Sequence, residues 1–301
     1  MNHAIQGVHC AAATPVDADG RPDLPLYVDH CTKLIEEGCH GIAMLGTTGE
    51  ANNFAVKDRM ALLDGLIEGG LEPGTILPGT STPNIPETIE LSSHAVKAGA
   101  KGVVLLPPYY YKGVSDEGLY RFYSRVIEGV GDDAMRMVFY HIPQVTQIPI
   151  SHDLIERLMD AFPGIVVGIK DSSGDLENMK TMCDRFPKLG VLAGADPMML
   201  PLLRVDGAGC ITATSNLRAD MLRVVWETWD KPGREAEVES AQDTINEWRT
   251  LSNSYVQLPT VKAMIARSRG NDGWMRVLPP LVEVTETERD AIWAEMEKLG
   301  G

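Results

Sequence analysis

The 301-residue chain has no run of about 18 apolar residues, the least that a transmembrane helix needs. It is also short of positive charge. Lys and Arg number 27 against 42 Asp and Glu, a formal net charge of −15. Binding nucleic acid by charge requires a basic surface that displaces counterions from phosphate. No cluster of Lys or Arg stands out against the acidic mean, so nucleic acid and anionic membrane surfaces are not expected partners. Neither a GxGxxG turn nor a GxxxxGK[ST] loop occurs, which argues against dinucleotide and nucleotide binding. The cysteines are five and form no Cys-x-x-Cys pair (Cys10, Cys31, Cys39, Cys183, Cys210). A disulfide framework and a structural zinc are therefore not expected, and a reducing cytoplasm fits. Residues 1–10 lack the basic start and apolar stretch of a secretory signal.

What is present is a repeat. Apolar, β-branched segments of strand length fall at 8–13, 41–45, 75–78, 102–106, 137–140, 165–169, 190–193 and 209–213. They recur about every 29 residues, the length of a strand–helix–strand unit. Several are apolar at consecutive positions, as in parallel strands buried on both faces. The intervals read as helices. Leu26, Cys31, Leu34 and Ile35 share a face that Gly38 closes, and Asn84 followed by Glu87 is an N-terminal capping signal. Eight such units predict an α/β fold, a (β/α)₈ TIM barrel, with an open doubly wound sheet as the rival. After about residue 232 only helical patterns remain, at 235–251, 256–267 and 286–299. The expected division is a barrel over 1–231 and a C-terminal helical extension over 232–301.

Catalytic groups in such a barrel sit where strands end. Lys170 closes the apolar run Ile165-Val166-Val167-Gly168-Ile169. A dry interior favours a neutral amine, which can attack a ketone to form a Schiff base. The plainer reading is a lysine paired with Asp171 or Asp196. Tyr140 ends the preceding strand, and adjacent strands lie about 4.8 Å apart, so its phenol could relay protons in the same cavity. It could equally be a core tyrosine. Gly46-Thr47-Thr48-Gly49 could wrap a small anion with backbone N–H groups and two hydroxyls, or be only a tight turn. His141 points away from Tyr140 and reads as a structural histidine.

Taken together and in order, Gly46-Thr47-Thr48-Gly49-Glu50, Pro108-Tyr109-Tyr110, Tyr140-x-x-Pro143 and Gly168-Ile169-Lys170-Asp171 make a chain that resembles the dihydrodipicolinate synthase/N-acetylneuraminate lyase family. The likeness extends through Val261-Lys262 and Leu278-Pro279-Pro280-Leu281. It implies a class I, cofactor-free and metal-free lyase, typically a homotetramer built as a dimer of dimers. It implies that Lys170 forms a Schiff base with pyruvate or another 2-oxo acid and that Tyr140 relays protons. Thr47 and Thr48 would bind the 2-oxo acid carboxylate, Thr47 also orienting Tyr140. Tyr110 would reach a neighbouring subunit's site, and Gly194 and Ile211 would line the pocket. One departure matters. Two residues beyond the proline of Tyr-x-x-Pro, dihydrodipicolinate synthases carry an arginine for the second substrate's carboxylate, and this chain has Val145. The expected reaction is therefore aldol cleavage or dehydration of a 2-keto-3-deoxy-sugar acid, with an aldehyde as partner in the aldol case. Dihydrodipicolinate synthase, N-acetylneuraminate lyase and a non-catalytic 2-oxo-acid-binding barrel are the alternatives.

Overall fold

The structure, a computed structural model, describes residues 3–300. Seven parallel strands form one curved sheet: β1 (Gly7–Ala11), β2 (Gly41–Ala43), β3 (Val103–Leu105), β4 (Met137–His141), β5 (Val166–Asp171), β6 (Gly190–Ala193) and β7 (Gly209–Thr212). Their order is β2-β1-β7-β6-β5-β4-β3. Helices separate and surround them, giving a nearly closed (β/α) barrel. The eighth expected strand, 75–78, is not a full ladder strand. Single parallel bridges, Ile42 to Ile76 and Gly79 to Val104, join this segment to β2 and β3. A 3-10 turn at Pro73–Thr75 delays its start, and Pro78 has no N–H to donate.

The barrel has an inner and an outer apolar layer, set by the alternation of side chains along each strand. Ala11, Ala43, Leu77, Val104, Val138, Val167, Leu192 and Ile211 belong to the inner cluster. Cys10, Ile42, Val103, Phe139, Ile169, Val191 and Cys210 face the helices in the outer one. Strand β5 breaks the alternation once. Met137 pairs with Val166 but Val138 with Gly168, so one extra residue slips in. Val167 then joins the interior cluster, and three positions later Lys170 faces Tyr140, an inner-cluster residue. Strict alternation would place residues 167 and 170 on opposite faces.

Helix ends follow the local sequence. Asn84 caps the helix Ile85–Lys97 by accepting from the Glu87 N–H at 3.0 Å. Gly38, at φ 122°, turns the chain after the helix Leu24–Glu36. Beyond β7 and the helix Ser215–Thr228 come the helices Glu235–Ser252, Gln257–Arg269 and Glu286–Lys298, with no strand between them. The first two pack against Ser215–Thr228 and so against the barrel wall. All five cysteines are buried and free. Among the described residues no helix is long and apolar enough to cross a membrane.

Candidate active site

At the C-terminal ends of the strands, Tyr140 and Lys170 are register partners on β4 and β5. The Lys170 amine lies 4.1 Å from the centre of the Tyr140 ring. Both residues are buried. Lys170 forms no ion pair among the described residues, which removes the plainer reading of a carboxylate-bound lysine. Asp171 points elsewhere, accepting from the Ser173 N–H at 2.7 Å and the Asn178 amide at 2.9 Å. Asp196 faces Arg249 at 3.6 Å.

The Tyr140 hydroxyl is 3.4 Å from the Thr47 hydroxyl. Burial pushes this phenol up, but the positive field of Lys170 and hydrogen bonding from Thr47, Lys170 and Ser172 hold it below the usual tyrosine range. Ser172 was not among the sequence-predicted site residues. Its only prior signal was a place just past the end of β5.

Thr47 stands on the turn after β2, between two left-handed non-glycine residues, Leu45 at φ 56° and Glu50 at φ 53°. Each such residue costs about 1 kcal/mol or more and needs surrounding support. Glu50 receives it from afar. Its buried carboxylate pairs with the buried Lys262 ammonium of the C-terminal extension. It also accepts from the Leu278 N–H at 3.2 Å and the Asn53 amide at 3.3 Å. Burial drives the Lys262 ammonium down and Glu50 opposes that shift. No hydrogen bond within the described residues occupies the N–H groups of Thr47 and Thr48 or the Thr48 hydroxyl.

A cavity of about 280 Å³ opens beside this turn. Of the sequence-predicted residues, Thr47 and Tyr140 line it. Ile211 lies in the inner layer below, buried. Gly194 follows β6 and donates to the Asp171 carbonyl at 2.7 Å. A Cβ at Gly194 would come 2.0 Å from the Ser172 hydroxyl, so any larger residue there would displace Ser172. Tyr110 is outside the cavity and 71% exposed, edge-on to Tyr111. Val145 lines the cavity wall and is 60% exposed. His141 accepts from the Ile150 N–H at 3.2 Å, and Gln144 donates to the Ser172 carbonyl at 2.7 Å. Both are thus committed to backbone and do not line the cavity. Sequence reasoning gave no role to several lining residues, among them Asn52, Ser81, Lys112, Leu258 and Leu281. No group of three or more His, Cys, Asp or Glu among the described residues could hold a metal ion.

A model of the dihydrodipicolinate synthetase family matches residues 4–299. The chain belongs to this family. Within the family it is 30% identical to an uncharacterized DapA-like lyase of Chloroflexus aurantiacus, over 98% of this chain and 97% of the relative. It is 27% identical to a 4-hydroxy-tetrahydrodipicolinate synthase of Methanopyrus kandleri, over 100% and 98%. Among solved structures, dihydrodipicolinate synthase from Agrobacterium tumefaciens superposes with a TM-score of 0.88 at 30% identity, covering 98% of this chain and 99% of the other. A family member from E. coli K12, a prophage protein in complex with pyruvate, superposes with a TM-score of 0.90 at 27% identity and the same coverage. A dihydrodipicolinate synthetase family chain of this kind is a class I aldolase or lyase by family.

Proposed function

We propose that the chain is a Schiff-base lyase acting on pyruvate or a related 2-oxo acid, with a 2-keto-3-deoxy-sugar acid as the favoured full substrate. The observation that carries this reading is the Lys170 amine, free of any carboxylate and set on the ring of a phenol that a threonine hydroxyl orients. The Lys170 amine adds to the C2 carbonyl, and loss of water leaves an iminium. In cleavage of a 4-hydroxy-2-oxo acid, the C4 hydroxyl gives its proton to the relay at Tyr140. The C3–C4 bond then breaks, its electron pair enters the enamine, and an aldehyde departs. Protonation at C3 and hydrolysis release pyruvate and restore the amine. In dehydration, C3 loses a proton and C4 loses its hydroxyl as water. The iminium is the electron sink in both, so the scheme requires neither metal nor cofactor. The free N–H groups of Thr47 and Thr48 and the free Thr48 hydroxyl meet the 2-oxo acid carboxylate.

The pyruvate held by the E. coli K12 relative supports the choice of 2-oxo acid. Val145 supports the sugar-acid branch over dihydrodipicolinate synthase, since valine offers a carboxylate no donor. Tyr110 serves a neighbouring subunit in a homotetramer, which its exposure suits. Gly194 and Ile211 shape the floor, and the enzyme works in the cytoplasm. Incubation with pyruvate, borohydride reduction and peptide mass mapping test the mechanism. The expected result is a stable adduct on Lys170; its absence would sink the proposal. Efficient condensation of pyruvate with aspartate semialdehyde would reassign the substrate, and release of N-acetylmannosamine from N-acetylneuraminate would do so in another direction. Pyruvate binding without any turnover in a substrate panel would point to the non-catalytic barrel.

A further inference from the structure

The cavity wall carries one cation, Lys112, and one carboxylate, Glu50. Glu50 is already neutralised by Lys262. The charge left uncompensated on the wall is therefore positive. Lys112 has no acidic partner among the described residues. Its ammonium donates to the Tyr109 carbonyl and to the Thr146 carbonyl, the latter at 2.8 Å. An ammonium has three donors, so one remains. The two carbonyls fix the head group, and the side chain bridges the loop after β3 to the short helix Pro143–Thr146. The other nearby cation, Arg59, is committed: it donates to the Gly79 carbonyl at 2.7 Å and the Ser81 carbonyl at 3.1 Å.

The neutral polar groups of the wall are largely occupied as well. Ser81 accepts from the Leu106 N–H at 2.7 Å and donates to the Val104 carbonyl at 3.4 Å. The Thr146 hydroxyl lies 3.1 Å from the Ile142 carbonyl and 3.2 Å from the Ile148 carbonyl, and it accepts from the Ile148 N–H at 3.3 Å. The Tyr109 hydroxyl donates to Asn52 at 2.9 Å. A wall whose one open charge is a held ammonium selects for a substrate that ends in a second anion.

We infer that Lys112 is a specificity-determining residue that binds a second carboxylate, at the end of the substrate opposite the 2-oxo acid. The substrate class is then a 2-oxo dicarboxylic acid, cleaved to pyruvate and an aldehyde that keeps a carboxylate. An aldehyde bearing an ammonium is disfavoured, because no free carboxylate on the wall would receive it. This inference rests on the Schiff-base reading and refines its substrate.

The test measures kcat/KM for 4-hydroxy-2-oxo diacids of five, six and seven carbons beside the monoacids of the same length. The wild-type protein is expected to favour at least one diacid over its matched monoacid by about tenfold or more. In Lys112→Met that ratio falls to near one, in Lys112→Arg it persists, and 0.5 M salt lowers it in the wild type. A residue that merely braces the loop would change both rates together and leave the ratio alone. Lys112→Gln serves if the methionine variant does not fold. A wild-type ratio near one, or an unchanged ratio in Lys112→Met, overturns the inference while a pyruvate adduct on Lys170 still forms. Failure of that adduct instead brings down the underlying mechanism.

Discussion

Strands β4 and β5 run side by side through five register pairs, from Met137–Val166 to His141–Asp171. On the other flank of β4 lies β3; β2 and β3 have three residues each and meet only through the bridges of the 75–80 segment. The side with the longer ladder, one slipped residue included, carries Tyr140 and Lys170, the pair proposed to react. The irregular side carries cavity wall, including Gly79, Ser81 and Val104. A ladder fixes where a side chain points to a fraction of an ångström, which Schiff-base chemistry requires. A gap in a ladder leaves carbonyls free to turn, and here the buried Arg59 guanidinium gathers two of them. One side of the barrel is built for placement and the other for shape.

Substitutions can break that contrast. The largest effect is expected from Lys170→Met, with turnover falling at least about four orders of magnitude and the pyruvate adduct lost, while thermal melting barely moves. Next, Tyr140→Phe should lower kcat about 10²–10⁴-fold, the range of general acid–base catalysis, and borohydride trapping should still find Lys170. If it costs less than tenfold, the relay lies elsewhere. On the irregular side the order of effects should reverse. Arg59→Met leaves the Gly79 and Ser81 carbonyls without their donor, a loss of about 2 kcal/mol in denaturant unfolding. KM should rise more than kcat falls. An equal fall in kcat would mean that both sides of the barrel place the reactive groups.

The smallest effect is expected from acid. His9, on β1, packs with the Thr75 carbonyl around the Cβ position of Gly41, and burial is the main cause of its fall to about 3. His30, bonded to Asn216 at 3.0 Å, is likewise pushed down to about 3 by burial. In the unfolded chain such groups take up protons near pH 6.5. Their contribution to stability is thus full above about pH 6.5 and is lost as pH falls towards 3. Hydrogen exchange between pH 7 and 5 should show Leu77 and Gly79 amides losing protection before Ile169 and Lys170. The opposite order would remove the distinction between the two sides.

Much of this was legible in the residues. Seven of the eight apolar segments became ladder strands, and Tyr140 and Lys170 were readable because each ends one. The eighth failed where Pro78 interrupts the donor row, a visible signal with an unreadable consequence. The slipped residue in β5 was not readable at all. Val166, Val167 and Gly168 are all apolar, so no polar position marks which of them faces inward. Lys112 was hidden by its place on a loop among tyrosines, since a loop carries no periodicity from which to infer a direction. The partnership of Glu50 with Lys262 joins residues too far apart in sequence for any spacing rule.

That partnership has a consequence in time. Glu50 is synthesised roughly 210 residues before Lys262. At 5–20 residues per second the interval is about 10–40 s. Throughout it the nascent barrel holds a carboxylate whose counterion does not yet exist, and such a group stays in water instead of being buried. The turn that carries Thr47 therefore settles only when the last quarter of the chain arrives. Lys170 is made early, and the pocket proposed to use it is finished late.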